Sequence, residues 1–317
     1  MEASCRAKKI PGSGGEDRIM KLAGQLKIGP VAFDLHAEEG HALFYADKAY
    51  DGFWRSAPGS NDLPQHVLPV YVRREAKTIP TGQPIYEAGK NWALWADGDS
   101  LIACSGFYGQ AAAQCWCRID RSMTSVELYV DPSRAGVEAP LRYPLDQFLT
   151  WGLLGRGGGF ILHAAVAVKD GVGWVFTGRS GAGKSTISGL CHAAGWRILN
   201  DDRAVLYLRD GVVRVAGTPW HGSGRFAEDA EVNLGGIFFI HKSKEDRVAP
   251  VSAALARLAL LDVAAVPWFD DAWSENVLRA IDQISSAAMF NNLYFTRTPA
   301  AVSEVERVVY EVLQDPA

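Results

Sequence analysis

The chain has 317 residues, of which 48% are hydrophobic and 21% charged, so we expect a packed globular protein larger than one average domain. Its 32 basic and 36 acidic residues give a net charge of -4, which excludes a general attraction to phosphate backbones or anionic lipid. We therefore expect no nucleic-acid partner and no membrane partner. No run of about 18 apolar residues is present. The five cysteines are an odd number that suits a reducing compartment, so the expected location is cytoplasmic.

The first part of the chain is predicted to be rich in β-structure. Residues 1–17 are polar and mixed in charge, and we expect them to form a flexible leader. Over residues 18–139, short apolar or alternating stretches are separated by turn signals, which is typical of a β-rich N-terminal domain. Cys115 and Cys117 lie here and are predicted to pack on one face of a strand, since no second cysteine pair stands at zinc-ligand spacing. The strand candidates are residues 31–35, 42–45, 67–72, 91–96, 100–104 and 125–130.

Residues 140–317 have a different pattern, in which helix and strand signals alternate. A short helix is predicted over residues 147–154, with Pro144 near its first turn. Two apolar runs, at residues 160–168 and 174–177, flank a short glycine turn and predict a β-hairpin. Further along, strands are expected at residues 237–240 and 292–296, and helices at 251–263, 276–290 and 303–313.

A glycine-rich motif of the form G-x-x-x-x-G-K-S follows the hairpin directly. A strand precedes it and a helix is predicted over residues 185–194, which is the context of a P-loop. The backbone N–H groups of such a loop bind phosphate oxygens at a helix N-terminus. Lys184 would then reach the β- and γ-phosphates, and the Ser185 hydroxyl would bind Mg²⁺, so ATP and Mg²⁺ are the predicted cofactors. The loop consists of Gly178, Arg179, Ser180, Gly181, Ala182, Gly183, Lys184, Ser185 and Thr186.

Two carboxylates follow this loop closely in the sequence. A helix that ends near Gly195 and a strand over residues 196–199 would bring Asp201 and Asp202 back beside the phosphates. One carboxylate at that place can take the proton of an attacking hydroxyl, and the other can help to hold Mg²⁺. ABC-type ATPases are disfavoured, because the chain has neither an L-S-G-G-Q signature nor an apolar strand that ends in Asp-Glu.

Three segments within residues 158–240 together resemble the catalytic core of HPr kinase/phosphorylase and its relatives. They are His163-Ala-Ala-Val-Ala-Val, the loop beginning at Thr177, and Asn200-Asp-Asp-Arg. The resemblance implies an α/β fold with a P-loop, phosphoenolpyruvate-carboxykinase-like kinase core over residues 140–317. It also implies that Asp201 is the general base and that Asp202 is a metal ligand or supports one. His163 would be a polar neighbour of the acceptor hydroxyl and of Asp201.

The chain departs from the pattern of the HPr enzyme at several positions. Arg179 stands where that enzyme usually has Asp in the P-loop. Asn233 replaces an arginine associated with the phosphorylase half-reaction, so phosphorolysis is not expected. Glu231 falls at the place of a Mg²⁺-binding Glu and joins Ser185 and Asp202 as a predicted metal ligand.

A closer likeness is to divergent HPr-kinase-related proteins found beside modified-peptide biosynthesis genes. Some of those are similar to kinases that phosphorylate a serine of a precursor peptide. The stretch Gly217-Thr-Pro-Trp-His-Gly-Ser-Gly-Arg resembles one typical of that group. With an aromatic ring, an imidazole and the Arg225 cation, the stretch suits a loop that grips an acceptor or nucleotide. The alternative is a plain surface turn with Trp220 packed inward.

These observations favour an ATP-dependent kinase that transfers the γ-phosphate to a hydroxyl. The favoured acceptor is a serine of a peptide or protein, and a homo-oligomer is compatible with the sequence. Three alternatives remain open. One is a kinase acting on a small molecule, and another is a simple ATPase. The third is a nucleotide-responsive peptide-binding module without transfer, against which the Asp201-Asp202 pair argues, since a sensor needs no base.

Overall fold

The computed structural model describes residues 8–11, 17–38, 43, 45–56, 64–89, 92–105, 115–131 and 141–314. The chain packs as two units, Met1–Leu153 and Leu154–Ala317. The sequence places the boundary earlier, at 139/140. Helix α1, Leu145–Arg156, contains the structural boundary. Its first turns pack within the first unit, where the rings of Phe148 and Trp92 lie 5.2 Å apart.

A ten-stranded sheet forms the first unit, in the order β1-β2-β3-β5-β10-β9-β8-β7-β6, with β4 paired to β2. A 3-10 helix, Lys48–Tyr50, precedes β4. The strands are β1 Lys8–Pro11, β2 Asp17–Ile28, β3 Val31–Glu38, β4 Trp54–Arg55, β5 His66–Arg74, β6 Tyr86–Ala88, β7 Trp92–Asp97, β8 Ser100–Ser105, β9 Cys115–Asp120 and β10 Val126–Val130.

The predicted β-rich character of this region is confirmed by β3, β5, β7, β8 and β10, which fall on five of the strand candidates. At the sixth candidate, 42–45, residues 43 and 45 belong to no strand, and residues 42 and 44 lie outside the described part. Within the predicted leader, residues 8–11 form β1 and Asp17 begins β2, while its other residues lie outside the described part. Cys115 and Cys117 are both buried on β9, which confirms their packing role.

The second unit has an eight-stranded sheet in the order β12-β11-β14-β15-β16-β18-β17, with β13 paired to β11 and a further pairing of β12 with β16. The strands are β11 Gly159–Lys169, β12 Val172–Thr177, β13 Arg197–Asn200, β14 Arg203–Arg209, β15 Val212–Ala216, β16 Glu231–Lys242, β17 Arg247–Pro250 and β18 Phe290–Phe295. The helices are α2 Lys184–Ala193, α3 Ala253–Leu261, α4 Asp271–Ala287 and α5 Ala300–Gln314.

The central strands β12 and β16 are apolar on both faces, because helices cover both sides of the sheet. On one face, Val175 and Phe239 pack with residues of α3 and α4. On the other face, Phe176 and Phe238 pack with residues of α2 and α5, and these two rings are stacked at 5.3 Å. The strand that leads into the glycine motif is therefore held in the core from both sides.

Most predicted elements of this unit are confirmed, with changes at their ends. The β11–β12 hairpin is antiparallel as expected, and α2, β13, α3 and α5 fall on their predicted segments. The helix predicted over 276–290 ends at Ala287, and Phe290 instead begins β18. Strand β16 begins at Glu231, well before the predicted residue 237, and β14, β15 and β17 were not predicted.

Replacing Leu206 by alanine should lower the free energy of unfolding by about 2–5 kcal/mol, because this fully buried side chain fills the core around β11 and β14. Urea denaturation followed by tryptophan fluorescence measures the change. Leu258, which is 64% exposed on α3, is the matched control, and its alanine variant should change stability by less than about 0.5 kcal/mol. Equal midpoints for the two variants would contradict this description of the core.

Candidate functional site

The glycine loop, defined as residues 178–186, joins the C-terminal end of β12 to the N-terminus of α2. Gly181 and Gly183 have φ values of 77° and 116°, a region in which residues with a Cβ are strained. Gly183 is also the N-cap of α2, and a Cβ on it would lie 2.8 Å from the Phe295 ring. Both glycines are therefore required by the turn that starts the helix.

Several backbone N–H groups of the glycine loop have no acceptor in the part of the chain that the structure describes. Ala182 N–H donates to the Arg179 carbonyl at 3.0 Å, which closes the loop on itself. Within the described residues, the N–H groups of Gly181, Gly183, Lys184 and Ser185 have no hydrogen-bond acceptor. Unpaired N–H groups at a helix N-terminus, together with the helix dipole, form an environment that binds anions.

Lys184 lies at the centre of this loop with its side chain buried, and 6% of the residue is exposed. Its Nζ donates hydrogen bonds to the carbonyl oxygens of Gly178 at 2.9 Å and Arg179 at 3.3 Å. Burial lowers the pKa of Lys184, nearby Asp202 opposes this effect, and Arg203 adds to it. The ammonium group is thus held inside the loop by two carbonyl oxygens, with the Asp202 charge nearby.

The hairpin brings His163 and Asp202 to the same end of β12. Thr177, the last residue before the glycine loop, pairs with Ala164, and Ala164 N–H donates to the Asp202 carbonyl at 2.9 Å. The His163 Nε2 and Asp202 Oδ1 atoms are 3.0 Å apart, and the Asp202 side chain is 34% exposed. The structure therefore joins His163 to Asp202, whereas the sequence associates His163 with Asp201.

The charge state of Asp202 follows from its neighbours. Burial alone would raise the pKa of Asp202. The hydrogen bond from His163 and the charges of Arg203 and Lys184 outweigh burial, so the pKa lies below its usual range. Asp202 is an ionised and partly exposed carboxylate near Lys184.

Asp201 has very different surroundings, although it is adjacent to Asp202 in the chain. It is 2% exposed, and its Oδ1 and Oδ2 atoms accept hydrogen bonds from the N–H groups of Gly222 at 2.8 Å and Gly224 at 2.6 Å. A Cβ on either glycine would come within 2.9 Å of Asp201 Oδ2. Asp201 therefore anchors the segment 217–225, which we term the anchored loop.

Within the anchored loop, Trp220 is 5% exposed, so it packs inward as the alternative interpretation of that stretch expected. Arg225 has a φ of 58° and an exposed side chain. The sequence suggested a loop that binds an acceptor or nucleotide through these side chains. In the structure the loop is hydrogen-bonded to Asp201, Trp220 is buried, and Arg225 is exposed.

The structure does not bring Glu231 together with the other predicted metal ligands. Strands β12 and β16 run parallel, with Val172 opposite Asn233 and Thr177 opposite Phe239, so Glu231 lies at the end of β16 remote from the glycine loop. Its carboxylate accepts hydrogen bonds from Tyr207 and, at 3.1 Å, from Arg209. No group of three or more His, Cys, Asp or Glu side chains in the described part of the chain could hold a metal ion.

Ser185 and Asp202 remain as oxygen donors near the loop. Ser185 is exposed at the start of α2. Mg²⁺ is usually held by one or two protein oxygens together with substrate phosphates and waters. This reduced set therefore fits a Mg²⁺ ion that arrives with a phosphate ligand, and does not fit a cage built from protein ligands only.

A cavity of about 760 Å³ adjoins the glycine loop on the side of β16. Arg179 and Asp262 both line it, and Arg179 Nη2 lies 2.8 Å from Asp262 Oδ2, joining the loop to the end of α3. Sequence reasoning missed Asp262, Asn292 and His241 at this place, because none of them belongs to a motif. The lining residues are Gly178, Arg179, Ser180, Gly181, Ala182, Phe239, Ile240, His241, Lys242, Pro250, Val251, Leu255, Ala259, Asp262, Val263 and Asn292.

Comparisons with known proteins give likenesses to solved structures only, with 55 matching chains. No family model and no curated protein matches the chain. The HPr(Ser) kinase/phosphatase from Coxiella burnetii has a solved structure that is similar with a TM-score of 0.31 and 12% identity, over 49% of this chain and 99% of that chain. The described part of the chain has no helix long and apolar enough to span a membrane.

Substituting Gly224 by alanine should destabilise the protein by about 1–3 kcal/mol, since the added Cβ would lie 2.7 Å from Asp201 Oδ2 and displace a hydrogen bond to a buried carboxylate. Thermal denaturation measures the loss. Gly189 in α2 is the matched control, because a Cβ added there would meet no atom within 4 Å. Its alanine variant should gain about 0.5–1 kcal/mol. Identical behaviour of the two variants would refute the anchoring role of Asp201.

The stabilising effect of the Asp202 carboxylate should depend on pH. Because the folded-state pKa is lowered, this contribution is complete above the unfolded-state value of about 3.9 and is lost as pH falls through the folded-state pKa. The difference in unfolding free energy between the wild type and Asp202→Asn should therefore still be present at pH 5 and shrink below about pH 4. A difference that persists unchanged in acid would contradict the ion-pair surroundings.

Proposed function

We propose that this protein is an ATP-dependent kinase that transfers the γ-phosphate of ATP to a hydroxyl group. The proposal rests on four loop N–H groups that have no acceptor among the described residues, together with Lys184 at the start of α2 and an ionised carboxylate, Asp202, near it. An anion-binding loop alone would suit any phosphate ligand. A carboxylate next to that loop adds a group that can accept the proton of an attacking hydroxyl.

The glycine loop acts as a P-loop in this proposal. Phosphate oxygens replace the missing acceptors of the loop N–H groups, and the Lys184 ammonium moves from the carbonyls of Gly178 and Arg179 to the β- and γ-phosphates. Ser185 would hold Mg²⁺, which supplies neutralisation of the phosphate charge when bound. This proposal also includes the phosphoenolpyruvate-carboxykinase-like fold that the sequence resemblance implies for the kinase core.

Asp202 is favoured over Asp201 as the proton acceptor. Both oxygens of Asp201 already accept backbone hydrogen bonds, and the residue is buried. Asp202 is partly exposed, and His163 Nε2 lies 3.0 Å from its Oδ1 atom. Arg203 Nε lies 3.7 Å from its Oδ2 atom, which is beyond hydrogen-bond distance, so Oδ2 can accept the proton of the incoming hydroxyl. The proton of the acceptor hydroxyl moves to Asp202 as the hydroxyl oxygen bonds to the γ-phosphorus. The bond from that phosphorus to the β-phosphate oxygen breaks, and ADP leaves with the electron pair.

A serine of a peptide or protein is the acceptor that we favour. The anchored loop contacts Asp201, the residue before Asp202, and carries the exposed Arg225. It therefore offers a polar surface along which an extended acceptor can bind near Asp202. A small hydroxylated metabolite is the second candidate acceptor. Two alternative functions transfer no phosphate to an acceptor of this kind, namely an ATPase and a nucleotide-responsive binding module.

The test uses γ-labelled ATP with Mg²⁺, the purified protein, and a pool of serine peptides and small hydroxylated metabolites. Lys184→Ala and Asp202→Asn should each reduce label transfer by about 10²-fold or more while circular dichroism remains unchanged. The control Asp282→Asn replaces an exposed acid paired with Arg257 and should retain full transfer. Asp201→Asn should lower the stability of the protein, because it weakens the hydrogen bonds to the anchored loop, and the folded variant should retain transfer activity.

Each other outcome points to a different conclusion. Full transfer by Asp202→Asn would overturn its assignment as the proton acceptor. Loss of transfer in a stable Asp201→Asn variant would return that role to Asp201. Free phosphate without a labelled acceptor would favour an ATPase, and binding without turnover would favour the nucleotide-responsive module.

A further inference from the structure

We propose that the cavity beside the glycine loop binds the nucleoside part of the nucleotide, that is, its base and ribose. This inference rests on the proposed function. It places the nucleoside between the glycine loop and α3.

The position of the cavity follows from strand direction. Strands β12, β16 and β18 are parallel to one another, and ligands of parallel sheets bind outside the carboxyl ends of the strands. The glycine loop leaves the carboxyl end of β12, and Ile240, His241 and Lys242 at the carboxyl end of β16 line the cavity. A ligand whose phosphates lie on the loop can therefore extend directly into this space.

The size and lining of the cavity suit a flat heterocycle. Its volume of about 760 Å³ lies within the range of small-ligand sites. Val251, Leu255 and Val263 supply apolar walls. Asn292 Oδ1 lies 2.9 Å from His241 Nε2, and the Asn292 Nδ2 group has no partner among the described residues, so it can donate to a ring nitrogen or carbonyl of a base.

His163 lies on β11 and Asp202 follows β13, and neither side chain lines the cavity. The cavity approaches β11 at Val263, whose carbonyl accepts a hydrogen bond from the His163 N–H at 3.0 Å. In-line transfer places the attacking hydroxyl and the leaving diphosphate on opposite sides of the γ-phosphorus. A nucleoside in the cavity therefore does not compete with the acceptor hydroxyl for Asp202.

Two exposed leucines of the same helix provide a matched test. Leu255 lines the cavity and is 61% exposed, whereas Leu258 does not line it and is 64% exposed. Both can become alanine without loss of a core contact or of helix propensity. Isothermal titration of each variant with Mg²⁺ and either ATP or inorganic tripolyphosphate separates binding of the nucleoside from binding of the phosphates.

We expect wild-type protein to bind ATP at least about tenfold more tightly than tripolyphosphate. Leu255→Ala should weaken ATP binding by about fivefold, because it removes part of an apolar wall, and should leave tripolyphosphate binding unchanged. Leu258→Ala should change neither. Equal affinity of the wild type for the two ligands, or equal ATP affinity of the two variants, would overturn this inference and leave the kinase proposal standing. Failure to bind both ligands would overturn the two together.

Photolabelling locates the base directly and does not depend on a variant. Irradiation with 8-azido-ATP should attach label within residues 239–263 or at Asn292, as read by peptide mass spectrometry. Label confined to the anchored loop, residues 217–225, would place the base on the Asp202 side and overturn the inference.

Discussion

The antiparallel pairing of β11 with β12 is the constraint on which the arrangement of the site depends. It sets Ala164 opposite Thr177, where β12 ends and the glycine loop begins. The Thr177 hydroxyl donates to the His163 carbonyl at 2.9 Å, and Ala164 N–H holds the Asp202 carbonyl. Because β12 is packed on both faces, a one-residue shift would exchange the side chains that pack against α3 and α4 with those that pack against α2 and α5. The positions of the loop and of the carboxylate pair are therefore fixed together.

Asp201 and Asp202 show how two neighbouring carboxylates acquire separate roles from their surroundings. A buried carboxylate is costly unless it receives hydrogen bonds, and Asp201 receives two from the backbone of the anchored loop. Asp202 remains partly open and is held by His163 and by the charges of Lys184 and Arg203. The first carboxylate thereby fixes a loop, and the second remains partly exposed to solvent beside Lys184. This division depends on glycine at positions 222 and 224, where a Cβ would collide with Asp201.

The parts of the structure that the sequence predicts are those with short-range signals. The hairpin has a glycine turn, α2 follows from its glycine motif, and the acidic pair lies shortly after that helix. Strand β16 was underestimated because glycines interrupt its apolar run, yet Gly235 is required there since a Cβ would lie 2.7 Å from the Trp174 ring. The parallel pairing of β16 with β12 removes Glu231 from the site. Neither this pairing nor the hydrogen bonds of Asp201 to glycines about twenty residues away leaves a local pattern in the sequence.

The two neighbours of β12 differ in direction, and this difference separates the two reactants that we propose. Strand β16 is parallel to β12, so both carboxyl ends lie at one edge and leave a crevice, which α3 covers with apolar side chains. Strand β11 is antiparallel and passes the same edge without ending there, so it brings His163 and Asp202 to the loop and leaves no comparable crevice. An apolar space on one side and an ionised carboxylate on the other suit the two ends of a phosphoryl transfer. A nucleoside requires shape and a few polar contacts, whereas an attacking hydroxyl requires a proton acceptor. Different neighbours of the strand that carries the glycine loop therefore form these two environments, β16 the cavity and β11 the surroundings of Asp202.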